Sequence, residues 1–198
     1  MKDFIEYSLE MAALPVSTNV AGQRDCGPAG PASIAQREII HNEVFSVIRG
    51  ASESEPTEEN SSLKVTADNP LYLEIDLVSP LRAVLLASVA FHEQVVKHGA
   101  ETVISLSLLS QLPLNVEIDQ LEIQFNQSEC NFVIVNAQRS HLAAISCLQP
   151  GRRVETATTL ELRTNKWLRL TYNVKPEQSG KLECIYVTAR WGQHFTIC

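Results

Sequence analysis

Histidine, cysteine and closely spaced carboxylates are the side chains from which metal and hydrolytic chemistry is built, and this chain scatters them. His92-Glu93 opens like the zinc-binding pattern His-Glu-x-x-His, but Val96 stands where the second ligand belongs and the next histidine is His98. Two ligands on one helical face need i, i+4 spacing, so no metal site is expected. Gly22 and Gly27 have the glycine spacing of a phosphate-binding loop, yet Pro28 occupies the lysine position and no strand precedes them. No Gly-x-Ser-x-Gly occurs. A Cys–His pair drawn from Cys130, Cys147, His141 and His194 would have to be assembled by folding alone. Asp119 and Glu122 read as outward-facing residues of a solvated surface. Acid–base work requires a desolvated pair with split pKa values. The expectation is a chain without catalytic residues, cofactor or small-molecule substrate.

Binding is better served. Arg152, Arg153, Arg163, Lys166 and Arg169 surround Trp167 in sequence, and arginine and tryptophan are enriched where interfaces concentrate their energy. These six residues are the candidate interface. The competing reading is that alternate Lys and Arg on a strand merely keep it in solution. Trp191, beside Gly192, reads as a core residue at a bend.

Such residues must be carried by the elements around them, and from Leu71 onward those elements are strands. In Leu71-Tyr-Leu-Glu-Ile-Asp-Leu77 apolar and polar residues alternate, as a half-buried strand requires. The same reading places strands at about 71–77, 84–92, 102–109, 114–118, 121–126, 131–136, 142–147, 158–163, 168–174, 182–190 and 193–197. The 84–92 run is apolar on both faces and reads as a central strand. Ile104, Leu106 and Leu108 point inward on the next strand, as do Leu168, Leu170, Tyr172 and Val174 further on. Pro176–Gly180 supplies a turn before the return strand. Short strands without intervening helices predict a mainly β fold, an immunoglobulin-like antiparallel β-sandwich over residues 70–198.

Residues 1–50 are different. Phe4, Ile5, Leu9 and Ala12 recur at helical spacing up to Pro15, and a second helix is expected over about 31–48, with Pro31 in its first turn and Gly50 at its end. Helices this short need something to pack on, and the sequence does not disclose it. They read as the remnant of a larger helical region, in which case the Ile40/Val44/Ile48 face should be exposed. Residues 51–69 form an acidic polar stretch without enough apolar surface to order itself, a linker.

Composition narrows the classes further. Among 198 residues the net charge is −7; residues 1–69 hold 5 basic and 11 acidic side chains, and 70–198 hold 11 and 12. Neither part has the positive field that nucleic acid demands. No run is long and apolar enough to cross a bilayer. Five widely spaced cysteines, without a Cys-x-x-Cys, read as reduced thiols in a soluble cytosolic protein. The sequons at Asn60 and Asn126 then read as chance.

Two segments resemble a known family. Ser79-Pro-Leu-Arg-Ala-Val-Leu-Leu-Ala-Ser-Val-Ala-Phe-His-Glu-Gln94 is similar to the join between the foie gras and gryzun regions of the subunit 11 family of TRAPP vesicle-tethering complexes. So is Ser105-Leu-Ser-Leu-Leu-Ser-Gln-Leu-Pro-Leu-Asn-Val-Glu-Ile-Asp-Gln-Leu-Glu-Ile-Gln-Phe-Asn126, and Leu170-Thr-Tyr-Asn-Val-Lys-Pro-Glu-Gln-Ser-Gly180 fits the gryzun-type β part. The resemblance covers roughly residues 70–195. It implies a scaffold module docking to other subunits of a trafficking tether, acting between endoplasmic reticulum and Golgi and in autophagy. The module would be cytoplasmic and peripheral to those membranes, with no membrane insertion. It supplies no active-site residues. Members are several-fold longer, so the chain reads as a fragment or truncated product. An arrestin-like adaptor for cargo or membrane surfaces is the alternative, and a Cys or His hydrolase a third reading.

Overall fold

The computed structural model describes residues 2–13, 33–49, 71–75, 84–139, 152–192 and 195–198. Two helices come first, α1 (Lys2–Ala13) and α2 (Ile34–Arg49). The second starts later than its sequence suggests, because Ser33 begins it rather than Pro31. The Ser33 hydroxyl accepts from the Gln36 N–H at 3.3 Å, and the Gln36 side chain accepts from the Ser33 N–H at 2.8 Å. That reciprocal pair is a capping box, two otherwise orphaned donors satisfied at once.

The helices are each other's missing partner. Ile5, Leu9, Ala12 and Ala13 of α1 are fully buried, and so are Val44, Phe45 and Ile48 of α2, with Ile40 packed at the margin. The expectation of an exposed Ile40/Val44/Ile48 face is therefore wrong. α2 lies on α1, and α1 lies on the first strand, so one apolar cluster runs from the helices into the sheets. A buried arginine fixes the arrangement. Arg37 Nε donates to the Ala12 carbonyl at 2.7 Å and its Nη2 to the Gln111 carbonyl at 3.3 Å. The first of these closes one of the orphan carbonyls at the end of α1.

Eleven strands are described: β1 (Leu71–Leu73), β2 (Leu85–Phe91), β3 (Thr102–Ser110), β4 (Val116–Glu117), β5 (Gln120–Phe125), β6 (Phe132–Asn136), β7 (Arg153–Ala157), β8 (Glu161–Leu162), β9 (Trp167–Val174), β10 (Cys184–Trp191) and β11 (Phe195–Ile197). A six-stranded sheet has the order β1-β11-β10-β5-β6-β7 and faces a three-stranded sheet, β2-β3-β9; β4 and β8 form a small ladder of their own. The protein is mainly β, with two N-terminal helices and a sandwich core. Antiparallel pairs dominate as expected, but β1–β11 and β6–β7, one at each edge of the large sheet, are parallel.

Alternation explains most of the core. Ile104, Leu106 and Leu108 are fully buried and aligned with Tyr172, Leu170 and Leu168 of β9, while Arg169, Thr171 and Asn173 face out. Trp191 is buried against Phe195, ring centroids 5.5 Å apart, as a core residue should be. The reading fails at three places. β7 is not expected from Arg-Val-Glu-Thr-Ala, which has too few apolar residues to show a face. The expected 158–163 strand shrinks to β8. Among the described residues β2 is an edge strand rather than a central one, with only β3 beside it, and most of its residues are partly or fully exposed. The expected strand at 142–147 and the linker at 51–69 lie outside the described residues.

Removing the Arg37 side chain tests the helical attachment. Arg37→Leu should lose about 2 kcal/mol, the usual worth of hydrogen bonds from a charged group, and amide exchange should quicken in α1 and α2 while β3 stays protected.

Candidate functional site

The six-residue interface read from sequence is not one patch. Arg153 lies at the end of β7 with its guanidinium 5.2 Å from the Phe132 ring centre, and its Nη1 donates to the Asn173 carbonyl at 2.5 Å. Asn173 is six positions along β9 from Trp167, roughly 20 Å at the rise of a strand. Arg152 turns to the opposite face of the large sheet and pairs with Glu122. Arg153 also pairs with Glu155, and Arg163 with Glu161 at 2.8 Å, which holds the Glu161 carboxyl below its ordinary range. Three of the five cations are thus neutralised inside the molecule. Lys166, Trp167 and Arg169 remain together and exposed at one end of β9, and the two cations have no ion pair among the described residues.

Glu122 also departs from its sequence reading. It is buried rather than solvated, accepting from Gln124 Nε2 at 2.5 Å as well as from Arg152. Asp119 receives Arg139 at 3.3 Å and the Gly192 N–H at 2.5 Å, and Glu117 receives the same arginine at 2.8 Å. These carboxylates are tied into structure.

One pairing was hidden from sequence. His92 Nε2 and Ser105 Oγ lie 2.7 Å apart, because the β2–β3 register makes them diagonal neighbours on the outer face of the small sheet. A serine activated by histidine needs a third group to orient the ring and donors for an oxyanion. Among the described residues no carboxylate holds the other ring nitrogen, and the pair is exposed. Cys147, His141 and His194 lie outside the described residues, as does the Gly22–Gly27 loop. No group of three metal-ligating side chains gathers among the described residues.

A second cluster forms on the outer face of the large sheet. The Cys198 sulfur is 3.2 Å from Thr188 Oγ1, and a hydrogen bond with Cys198, with burial behind it, pushes the Tyr72 phenol up to about 12. Cys184 is pushed up to about 11 by burial alone, and burial also raises Cys130, so both thiols stay protonated near neutrality. Cys130, Cys184 and Cys198 are free.

A concavity lies beside β2. A groove of about 810 Å3 runs between that strand and the β10–β11 part of the large sheet, lined chiefly by Ile75, Leu85, Val89, Phe91, Leu182 and Val187. Its lining is mostly apolar, with Glu74, Lys181 and Glu183 at the rim. Sequence reasoning missed it because an edge and a central strand of the same composition look alike. No family model, no curated protein and no solved structure matches this chain.

Two measurements follow from these contacts. Arg152→Ala leaves the Glu122 carboxylate buried without its cation and should cost on the order of 3 kcal/mol in urea unfolding, whereas Arg163→Ala should leave the midpoint where it is. Tyrosine absorbance should show one phenol ionising near pH 12, and Cys198→Ala should move it toward the ordinary 10. The raised value favours the folded state at pH below 10, and that contribution should vanish as the pH rises through 12.

Proposed function

We propose that this chain is a non-enzymatic interaction module of a vesicle-tethering complex working between endoplasmic reticulum and Golgi, cytoplasmic and peripheral to those membranes through its partner subunits. The observation that carries the docking role is β2, seven residues without a charge or a proline, on a sheet edge that no other described strand pairs, beside an apolar groove. Edge strands of proteins that act alone are usually blunted by charge, proline or a bulge. The assignment to a tether is supported by the resemblance of Ser79–Gln94 and Ser105–Asn126. These segments carry β2 and run from within β3 to the end of β5, including parts of both faces of the sandwich. Among the described residues no helix is long and apolar enough to cross a membrane.

The exposed Lys166, Trp167 and Arg169 favour a second reading, an adaptor for an anionic membrane surface. Purification of the tagged chain from cells should recover subunits of the TRAPP tether, and flotation with phosphatidylserine vesicles should leave the chain at the bottom of the gradient. Flotation without recovery of subunits would transfer the assignment to the adaptor.

A further inference from the structure

The large sheet is wider than the small sheet that faces it. β2 stands over β5, with Phe91 and Phe125 ring centres 6.2 Å apart, and β9 stands over β6, with Phe132 and Tyr172 at 5.3 Å. β10 and β11 continue past β2, and the groove lies there. Its floor includes Cys184, Val187 and Ile197, together with Ile185 at a register shift of β10. A bulge of that kind re-aims a side chain, and Ile185 is left 52% exposed.

The wall on the β2 side is backbone. The His92 N–H donates to the Val103 carbonyl at 2.9 Å, and in an antiparallel ladder such bonded pairs alternate. The N–H and C=O groups of Leu85, Ala87, Val89 and Phe91 therefore point away from β3, and no strand among the described residues takes them up. Their side chains share the inner face with Leu106 and Leu108. A strand laid about 4.8 Å from β2 would put every second side chain over the apolar floor and bond the free edge. The rim carries Glu74 and Glu183, while Lys181 is already paired with Glu183, so its balance is acidic.

We propose that an extended segment of a partner protein, apolar at alternate positions and flanked by Lys or Arg, adds to the β2 edge as a fourth strand of the small sheet and fills the groove with its inward side chains. A second copy of the chain does not fit this role. Pairing β2 with β2 of another copy places both large sheets on the same side, where the overhanging β10, β11 and β1 would collide. The proposal rests on reading the chain as a binding module, but not on which complex it joins.

The probe is a labelled peptide with valine at alternate positions, threonine between them and a lysine at each end, titrated by fluorescence anisotropy into the full chain. Saturable binding is expected. The same peptide N-methylated on the edge that meets β2 keeps its side chains but cannot donate, and should not bind. Ala87→Lys places an ammonium over the apolar floor and should weaken binding at least about tenfold. Ser88→Lys adds the same charge on the other face and should leave binding unchanged; near-ultraviolet circular dichroism checks that both variants fold. An inert peptide, equal binding of the N-methylated form, or self-association through β2 would overturn the proposal. Peptide binding without recovery of tether subunits from cells leaves this site standing and removes the tether. Recovery of subunits that ignores both Ala87→Lys and excess peptide does the reverse.

Discussion

A line of four aromatic rings holds the two sheets together. Phe91 on β2 meets Phe125 on β5, Phe125 stacks toward Phe132 on β6 at 6.4 Å, and Phe132 meets Tyr172 on β9. The path leaves one edge of the small sheet, passes over the adjacent strands β5 and β6 of the large sheet and returns to the opposite edge of the small one. Aromatic pairs add about 0.5–1.5 kcal/mol beyond the area they bury, but their placement matters more here than their sum. It fixes β2 over β5 and β9 over β6, and from that offset come both the overhang of β10 and β11 and the groove beside β2. Arg153 extends the line, its guanidinium over Phe132 and bonded to β9, so that β7 is attached to the small sheet as well.

Much of this fold was legible in the sequence and much of the site was not. Ile104, Leu106 and Leu108 announce their strand because one face is fully buried and the other is not, so composition alternates with geometry. β7 stays silent because an edge strand tied down by Arg153, Glu155 and backbone bonds needs few apolar residues. β2 misleads for the opposite reason: residues apolar on both faces suit a strand buried by neighbours on either side, yet here they stand on one with a single described neighbour. Periodicity reports what a side chain prefers and says nothing about how many strands lie beside it. The basic residues fail similarly. Their spacing along the chain does not show that Arg152 and Arg153 point to opposite faces, or that Glu122, Glu155 and Glu161 neutralise three of them.

The helices show how a local reading can miss a tertiary answer. Each is short enough to be marginal alone, and each carries one apolar stripe. The two stripes face each other, and the pair reaches the sandwich through α1 on β1 and through Arg37. A helical segment that reads as a remnant is thereby part of the same core as the sheets.

The parallel pairing of β1 with β11 aligns Leu71 with Phe195 and Leu73 with Ile197. A ribosome releases about 5–20 residues each second, so β1 waits on the order of ten seconds in the cell before its partner exists. Throughout that interval Leu71 and Leu73 have no sheet to enter, and the nascent chain carries an unsatisfied apolar strand. α1 and α2 are already made by then, and α1 is the one that packs on β1. For a chain of this topology the order of synthesis puts the helix that packs on β1 ahead of both strands of the pair, and the strand that completes the sheet last.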